Sequence, residues 1–495
     1  MNDSSPDRRD FTRREFLSTA TAASAGLCLA ASTLVAPSVA NAQTQVARKR
    51  RFVLVGVGGR SRMYRDAVLK TYAQHCEMVG FCDTNEGRLN LAAAKARKMA
   101  GVDVPCYAAK DFDRMVQEQK ADVVIVATTD AAHSDYIVRA MELGCDVLTE
   151  KPMTTDETKC RAIIDAQKKT GKSCRVTFNY RYSPARTQVK DLLMSGVIGD
   201  ILSVDFHWML DTFHGADYFR RWHGTKANSG GLMIHKSTHH FDLVNWWLSA
   251  VPVSVMATGK REFYTPAMAK RIGLQSHHER CLTCPEKAKC GFYLDITTHK
   301  EYAELYHAQE KYDGYFRDRC VFRPEIDIED TMNVQVRYNT GVTMAYSLNA
   351  FNSWEGYQIV FNGTKGRLEH KMEELVAVNS KNSKPKREER DTTIRICPLR
   401  SAPYDVPVWK GQGMHAGGDD VMLDDLFLSE KKADKYLRAA DHCAGAYSIL
   451  VGAAANRSFI SGETVKIADL VPGIPLPDYP AMPSPTDPLP MPARS

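Results

Sequence analysis

The sequence predicts an α/β protein whose first half is a Rossmann domain with a doubly wound parallel sheet and whose second half adds further strands. Two observations lead to this fold class. Short β-branched strands alternate with helical stretches from residue 51 to 178, and strands with polar–apolar alternation recur from residue 202 to 361. A chain of 495 residues exceeds one ordinary domain, so two domains and a tail are expected.

The composition narrows the class of protein. The net charge is +6 and the apolar share is 44%, which allows a large buried core. The chain has neither a long basic run nor an alternation of basic and aromatic residues, which argues against a nucleic-acid-binding protein.

The first 42 residues have the features of an export signal. Thr12–Leu17, TRREFL, resembles the twin-arginine motif; a modest apolar stretch follows from Ala20 to Val35, and Ala40–Ala42 has the A-x-A form of a cleavage site. The alternative is a membrane anchor, but the stretch is shorter and richer in Ala, Ser and Thr than a spanning helix of about 20 apolar residues. We therefore expect export to the periplasm by the twin-arginine machinery, followed by cleavage.

The first predicted strand, Arg51–Val57, runs directly into a glycine turn. This turn reads Gly56-Val57-Gly58-Gly59-Arg60-Ser61, and a helical stretch follows from Met63 to Tyr72. The first glycine permits the tight turn, the second lets the backbone approach a pyrophosphate, and the helix start offers N–H groups to the phosphates. Ser61 occupies the third glycine position, so this dinucleotide fingerprint is imperfect.

The second predicted strand, Glu77–Cys82, ends in a carboxylate. Asp83 lies where a dinucleotide-binding fold receives the ribose hydroxyls of NAD. A carboxylate repels a 2′-phosphate, so we expect NAD rather than NADP, although Arg88 nearby weakens that preference. A doubly wound domain that binds no dinucleotide is the alternative.

Further strand–helix units complete the predicted parallel sheet. The strands are Asp122–Ala127, Asp146–Thr149 and Cys174–Phe178, and the helices are His133–Leu143 and Asp156–Thr170. Ligands of such sheets bind at the carboxyl ends of the strands. The remaining cofactor-binding candidates follow these strands: Thr128, His133, Glu150, Lys151 and Asn179. For His133, capping of a helix is an equal alternative.

In the second half, four alternating segments are predicted as strands: Leu202–Leu210, Asp330–Tyr338, Val342–Leu348 and Tyr357–Phe361. Asn339–Gly341 and Asn362-Gly363 are typical of hairpin turns. Beyond Pro472 the chain is rich in proline, which predicts an irregular tail.

One short stretch, GGLMIHKSTHHFDL from residue 230 to 243, concentrates proton-transferring side chains. His235, Lys236, His239 and His240 lie within six positions, and Asp242 follows. A histidine titrates near neutral pH, so it is a natural base for a proton-transfer step. An ammonium group nearby stabilises an oxygen as negative charge develops on it.

Taken together, the motifs resemble the Gfo/Idh/MocA oxidoreductase family. The matching pieces are GVGGR (Gly56–Arg60), Asp83, EKPM (Glu150–Met153), NYRYSP (Asn179–Pro184), GGLMIHKSTHHFD (Gly230–Asp242) and GMHAGGDD (Gly413–Asp420). The resemblance implies a Rossmann domain followed by an α/β domain with a large, mostly antiparallel open sheet. It also implies tightly held NAD(H) or NADP(H), a sugar or cyclitol substrate, and a homo-oligomer, a dimer or tetramer formed through the second sheet.

The resemblance also implies catalytic roles, with one departure. The family places Asp-x-x-x-His on the histidine-rich segment, which aligns His239 with the family histidine and puts His235 at the acidic position. We predict His239 as the general acid/base and Lys151 as the cation beside the reacting oxygen and nicotinamide. Lys236 and His235 are predicted to contact substrate or support the site, and His240 to be a core or capping residue.

Several residues are candidates for contact with the substrate. Arg181 and Tyr182, with Asn179, leave the last Rossmann strand toward the cleft, and His415 lies between glycines that allow close approach. An ordinary loop is an equal alternative for His415. The segment HGADYFRRWHG offers an aromatic and polar sugar platform through His214, Arg221, Trp222 and His223, with a core tryptophan as the commoner alternative.

A cysteine cluster lies in an irregular, charged insert. Cys281, Cys284 and Cys290 follow the spacing C-x2-C-x5-C, and Cys320 lies further on. A structural zinc ion is one possibility for such thiolates. Two disulfides are the rival in an oxidising periplasm, and free thiols are the third outcome.

These predictions define an organisation and a function. We expect a signal peptide at 1–42, a Rossmann domain at 43–178, a substrate and oligomerisation domain at 179–470 with its cysteine insert near 278–322, and a tail at 471–495. The expected function is a periplasmic NAD(P)-dependent oxidoreductase acting on a sugar, sugar derivative or cyclitol. An NAD-dependent glycoside hydrolase that oxidises C3 transiently and a non-catalytic sugar-binding protein are the alternatives.

Overall fold

The computed structural model describes residues 48–275, 278–375, 391–411, 414–430 and 433–489. The predicted export signal and the last residues of the tail lie outside these ranges. Within them, no helix combines the length and the apolar character needed to cross a membrane.

The described residues form sixteen strands in two sheets. The strands are β1 (Arg50–Val55), β2 (Cys76–Asp83), β3 (Cys106–Ala108), β4 (Val123–Val126), β5 (Asp146–Thr149), β6 (Cys174–Val176), β7 (Ile201–Asp211), β8 (Pro252–Lys260), β9 (Thr331–Tyr338), β10 (Thr343–Asn352), β11 (Glu355–Gly363), β12 (Gly366–Leu375), β13 (Thr392–Pro398), β14 (Tyr404–Asp405), β15 (Ala440–Asp441) and β16 (Val465–Lys466).

The same residues form sixteen α-helices. The helices are α1 (Arg62–Asp66), α2 (Glu86–Ala100), α3 (Phe112–Glu118), α4 (His133–Glu142), α5 (Glu157–Thr170), α6 (Pro184–Met194), α7 (Thr212–Arg220), α8 (Lys226–Ser229), α9 (Leu232–His235), α10 (Thr238–Leu248), α11 (Pro266–Arg271), α12 (Lys300–Leu305), α13 (Glu310–Asp313), α14 (Gly418–Phe427), α15 (His442–Ser461) and α16 (Ile467–Leu470).

The first sheet has the order β15-β6-β5-β4-β1-β2-β3. All its strands are parallel except β15, which pairs antiparallel with β6. Every residue of β4, which reads VVIV, is buried, as expected for a strand covered by helices on both faces. The flanking helices have clear start and stop signals: Asn85 caps α2 and Asp156 caps α5, and each of these helices ends at a glycine with positive φ.

The second sheet has the order β14-β13-β12-β11-β7-β10-β9-β8-β16. Only β7 and β10 pair in parallel; the other pairs are antiparallel. Strand β9 alternates buried and exposed residues along its length. One face therefore packs on the core, where α15 contacts β8 and α10, and the other face is open. This architecture confirms the predicted fold class.

Most predicted strands and helices are present within one to four residues of their predicted bounds, and one of the two predicted hairpin turns is displaced by two residues. Asn339–Gly341 does connect β9 to β10, and Gly341 has a φ of +89°. Asn362 and Gly363 are the last residues of β11, and the hairpin to β12 turns at Thr364 and Lys365. A Cβ at Gly363 would lie 2.2 Å from the carbonyl oxygen of Ile198, so this glycine permits close approach of a neighbouring segment rather than a turn.

Candidate active site

The glycine turn lies at the carboxyl end of β1 and meets the loop that follows β4. Gly56 has a φ of +83°, and a Cβ there would lie 2.5 Å from the carbonyl oxygen of Ala127 and 2.8 Å from the backbone nitrogen of Thr128, so no larger residue fits. A Cβ at Gly58 would meet no atom within 4 Å, which leaves open space above the turn. This space and the first amides of α1 fit a dinucleotide pyrophosphate.

Ser61 closes the turn in place of the third glycine. Its hydroxyl donates a hydrogen bond of 2.7 Å to the carbonyl of Gly58. Two hydrogen bonds connect the turn to Glu150, the residue that follows β5. Arg60 Nε donates to its carboxylate at 2.5 Å, and the Tyr64 hydroxyl donates to it at 2.6 Å. Burial opposes the charge of Glu150, but the positive charges of Arg60 and Lys151 outweigh it and lower the pKa of this carboxylate.

Asp83 lies beside the glycine turn at the end of β2. Its carboxylate accepts hydrogen bonds of 2.8 Å from the amides of Val57 and Asn85. Arg88 lies 3.4 Å from Asp83 but donates at 2.6 Å to Asp313, so two carboxylates already neutralise its charge. The arrangement favours ribose hydroxyls over a 2′-phosphate.

A segment of the second domain, residues 300–313, covers this end of the site. Tyr306 accepts a hydrogen bond of 3.2 Å from the amide of Gly59 at its hydroxyl, and the carbonyl of Gln309 accepts one of 3.0 Å from Asn85. Glu301 pairs with Arg62 at 2.9 Å. The segment, which we call the cover segment, therefore encloses the glycine turn from outside the Rossmann domain.

Lys151 begins the opposite end of the site, where the Lys151–Pro152 peptide bond is cis. Its ammonium donates to the carbonyl of His235 at 3.4 Å. Burial lowers the pKa of Lys151 to about 8, against the opposing charges of Asp130 and Glu150. The lysine is thus held between the first sheet and the histidine-rich turn.

His235 is the last residue of α9 and pairs with a carboxylate of the Rossmann domain. Its Nδ1 lies 2.5 Å from Asp130, which belongs to a short 3-10 turn after β4. Burial raises the pKa of Asp130, and burial together with Lys151 and Arg221 lowers the pKa of His235. The carboxylate that the family pattern would place at position 235 is therefore supplied from a different element, and sequence reasoning missed it.

His239 occupies the first turn of α10 in a different environment. Its ring stacks on Tyr180 with centroids 4.2 Å apart and an angle of 12° between the planes, and its buried Nδ1 has no hydrogen-bond partner. Burial lowers its pKa well below the ordinary value, and the charges of Lys151 and Lys236 add to the shift. A neutral imidazole of this kind is able to accept a proton.

Lys236 lies between the two histidines in sequence and is held by three contacts. Its ammonium is 3.3 Å from Glu355, 3.5 Å from the hydroxyl of Tyr180, and 4.6 Å above the ring of Trp208. Glu355 also bonds His214 at 2.8 Å. Although burial opposes it, His214 and Lys236 lower the pKa of Glu355 to about 2, so the carboxylate is ionised. Sequence reasoning did not identify Glu355 or Tyr180.

Two family models and a known relative match most of this chain. A model of the oxidoreductase family's NAD-binding Rossmann fold matches residues 50–178, and one of its C-terminal alpha/beta domain matches residues 190–467. The protein YteT of Bacillus subtilis (strain 168) is 35% identical over 432 residues, which cover 85% of this chain and 98% of YteT. This chain belongs to the Gfo/Idh/MocA oxidoreductase family.

More distant similarities agree with this assignment. Inositol 2-dehydrogenase of Salmonella typhimurium (strain LT2) is 25% identical over 335 residues, covering 61% of this chain and 89% of that enzyme. The fold is similar to the crystal structure of the WlbA dehydrogenase from Bordetella pertussis in complex with NADH and UDP-GlcNAcA, with a TM-score of 0.56 and 20% identity over 85% of this chain and 99% of that one. The protein is therefore an NAD-binding oxidoreductase of the Gfo/Idh/MocA family.

Three further predicted residues come together at the rim of the Gfo/Idh/MocA site. Asn179 donates a 2.6 Å bond to Asp419, and His415 lies 2.9 Å from the same carboxylate through Nδ1. Arg60 lies 3.8 Å from Asp419. The His415 ring is 5.9 Å from that of Tyr180, so this loop borders the cluster around His239; Gly413, in the same motif, lies outside the described residues.

Other predicted residues have structural positions instead. Both ring nitrogens of His133 lie against backbone carbonyls, at 2.8 Å and 3.3 Å, so His133 fastens two loops rather than contacting a cofactor. Arg181 is fully buried in a bidentate pair with Asp242, and the buried Tyr182 donates to Asp425, a partly exposed residue of α14. The expected substrate contacts of Arg181 and Tyr182 are therefore wrong, because neither polar group faces the cleft.

His240 is a core residue, as predicted. Its Nδ1 bonds the hydroxyl of Tyr346 at 2.7 Å, and its ring stacks on Trp208 at 3.9 Å. It therefore stabilises the packing of α10 on the second sheet.

The four insert cysteines line one cavity of about 20 Å³ and form no disulfide with one another. Cys281, Cys284, Cys290 and Cys320 are free thiols. Within the described ranges, the close group of metal-ligating side chains is a different one, Asp441, His442 and Cys443. The structure thus gives no support to the expected zinc site and contains no disulfide at these positions.

Proposed function

We propose that this protein oxidises a secondary hydroxyl of a sugar, sugar derivative or cyclitol by hydride transfer to bound NAD. The observation that carries the proposal is the contact of the Lys151 ammonium with the carbonyl of His235, four residues before the buried His239, at the end of the site opposite Asp83. Burial, together with the charges of Lys151 and Lys236, lowers the pKa of His239 and keeps its imidazole neutral. A base and a cation at one place are what alcohol oxidation requires.

The side chains divide the proton chemistry. His239 accepts the hydroxyl proton, and Lys151 stabilises the negative charge that develops on the oxygen. Tyr180 stacks on His239 and orients its ring, and the Asp130 carboxylate fixes the ring of His235. Bound NAD supplies the hydride acceptor.

The first test uses the purified protein as it is produced. The protein is denatured and any released nucleotide is identified, and the native protein is then screened against sugars and cyclitols for hydride transfer. We expect stoichiometric NAD(H) and oxidation of at least one carbohydrate class. A protein that holds no nucleotide and does not bind added NAD overturns the proposal.

A second candidate function is redox-neutral glycoside cleavage, which is favoured because His235 and His239 have different partners. Redox-neutral glycoside cleavage, with transient oxidation at C3 followed by elimination and re-reduction, requires two proton transfers. His235 with Asp130 and His239 against Tyr180 provide two independently positioned imidazoles. An aryl glycoside distinguishes the two functions: release of the aryl group without net NADH supports cleavage, and no release supports simple oxidation.

We also propose that the protein works in the periplasm. The support is the twin-arginine motif around Arg13 and Arg14 with its apolar stretch and A-x-A sequence. Cell fractionation of the producing strain tests this, with Arg13→Lys/Arg14→Lys as the export-deficient control. If the wild-type protein and the double variant are both found in the cytoplasm in the same proportion, the protein is not exported by this signal.

A further inference from the structure

A cavity of about 250 Å³ lies next to the candidate active site, and three arginines line it. They are Arg221, Arg319 and Arg323, and the rest of the wall includes Trp222, Tyr315, Asn228 and one carboxylate, that of Glu279. The volume is below the range of about 300–1,000 Å³ that drug-sized ligands occupy, so the cavity suits a single small ring.

Three N–H donors of the arginines around this cavity lack a hydrogen-bond acceptor. The Nε–H groups of Arg221, Arg319 and Arg323 are buried and have no hydrogen-bond partner, and the buried hydroxyl of Tyr315 has none either. Native structures satisfy nearly all buried polar groups, and a cluster of exceptions indicates an absent partner such as an ion. All the unsatisfied groups on the arginines are donors, so the absent partner is an acceptor.

The charges around the cavity are also unbalanced. Arg221 shares Asp217 with Arg317, which holds that carboxylate at 2.6 Å. Arg319 and Arg323 likewise share one half-exposed carboxylate, Glu325, at 3.1 and 3.4 Å. Arg319 also lies 3.9 Å from Glu279, which lines the cavity, so these four guanidinium groups have three carboxylates between them. Burial and the positive charge of Arg319 lower the pKa of Arg323 to about 10. An anion in the cavity would relieve this excess of positive charge.

The cavity is adjacent to the reacting groups. Trp222 stacks on His223 with centroids 3.6 Å apart, and the rings of His223 and His235 are 4.2 Å apart. Trp222 itself lies 5.8 Å from His235. One aromatic wall therefore separates the cavity from the histidine that pairs with Asp130, and aromatic faces of this kind pack against the CH groups of sugars.

We propose that the cavity is a second subsite of the substrate cleft and binds an anionic sugar residue, whose carboxylate or sulfate is held by Arg221, Arg319 and Arg323. The inference rests on the proposed carbohydrate substrate and narrows it to saccharides that carry an oxyanion. The planar guanidinium forks match the geometry of both carboxylate and sulfate. Neutral sugars lack the acceptor that the arginines require.

The test is calorimetric binding to the full mature protein with its nucleotide. The probes are methyl glycosides of glucose and galactose, the corresponding glucuronate and galacturonate, and glucose 6-sulfate. We expect at least one anionic probe to bind about tenfold more tightly than its neutral counterpart, the magnitude of one charge-assisted contact. The uronates and the sulfate show which oxyanion is preferred. Equal binding of charged and neutral probes, or no binding of any, overturns the proposal.

Arg319→Gln is the diagnostic variant, because its side chain is 34% exposed and the fold does not depend on it. Arg367→Gln on β12, where Arg367 is 44% exposed and pairs with Glu369, is the matched control. We expect Arg319→Gln to lose about tenfold in affinity for the anionic probe and to leave the neutral probe unchanged. Equal losses in both variants would contradict the subsite.

Failure of the subsite and failure of the proposed function give different results. Oxidation of neutral sugars with no effect of Arg319→Gln retains the function and removes the subsite. Binding of uronate that depends on Arg319, in a protein that holds no nucleotide and oxidises nothing, retains the anion site and removes the oxidoreductase chemistry.

Discussion

Two histidines one turn apart, His235 and His239, occupy very different surroundings. His235 lies 2.5 Å from a buried carboxylate, whereas His239 stacks on an aromatic ring and has an unpartnered, buried Nδ1. Burial lowers the pKa of both imidazoles. The difference teaches that residue type and burial alone do not assign a role. The partner carboxylate fixes the ring of His235, whereas His239, which has no such partner at Nδ1, is able to exchange a proton.

The largest expected effect comes from the histidine without a partner. His239→Asn should lower kcat/KM for oxidation about 10²- to 10⁴-fold, the usual contribution of a general base, while nucleotide content is unchanged. Steady-state kinetics and the amount of nucleotide released on denaturation measure the two quantities. His207→Asn, at an exposed histidine on β7, is the matched control. Retention of a tenth or more of the activity in His239→Asn would assign the base to another residue.

A smaller loss is expected at the partner of His235. Asp130→Asn replaces the carboxyl group that lies 2.5 Å from Nδ1 of His235 and should cost about tenfold or more in kcat/KM. The double variant Asp130→Asn/His235→Asn should be no worse than His235→Asn alone, because both changes act on one unit. Asp135→Asn, an exposed carboxylate in the first turn of α4, is the control. Additive losses in the double variant would show that Asp130 acts independently of His235.

The charge of Lys151 should define the alkaline limit of activity. Its pKa is lowered to about 8 by burial, so the cation that stabilises the oxygen is lost as the pH rises through that value. Activity should therefore decline above about pH 8. In Lys151→Arg the guanidinium stays protonated and the residual activity should show no decline there. Parallel pH profiles for both forms would contradict this role for Lys151.

The smallest effect expected for each residue is on the free energy of unfolding, through the buried histidines. His223, His235, His239 and His240 all have pKa values lowered by burial below the unfolded value of about 6.5. Each therefore contributes stability that is present above about pH 6.5 and lost as the pH falls toward the folded value, by about 1.4 kcal/mol per pH unit. Urea unfolding at pH 7.5 and 5.5 measures the loss, which should be smaller in His239→Asn. A free energy of unfolding that does not change over this range would mean that the histidines titrate normally.

Sequence reasoning reached the parts of the site that are contiguous in the chain. The glycine turn, Asp83, Lys151 and His239 belong to local motifs whose spacing follows from a strand, a turn and a helix. The partners that distinguish the two histidines are distant: Asp130 is 105 positions from His235, and Glu355 is 119 positions from Lys236. The packing of the two domains brings Asp130 to His235, and the folding of the second domain brings Glu355 to Lys236. No local pattern records either contact.

One error has a local cause. Arg181 and Tyr182 were expected to face the cleft because they follow β6. The chain turns there into a 3-10 helix, Asn179–Tyr182, whose three residues per turn end the strand alternation. Asn179 and Tyr180 consequently reach the site, whereas Arg181 points to the buried Asp242.

The cover segment has a consequence for the order of events in biosynthesis. Tyr306 contacts an amide that precedes it by 247 residues, at Gly59. At about 5–20 residues per second, a ribosome needs roughly 10 to 50 seconds to make that length of chain. Throughout this interval the glycine turn has emerged without its cover. The glycine turn is thus open to a nucleotide during translation, and the closing contact forms only after strands β1 to β6 have been made.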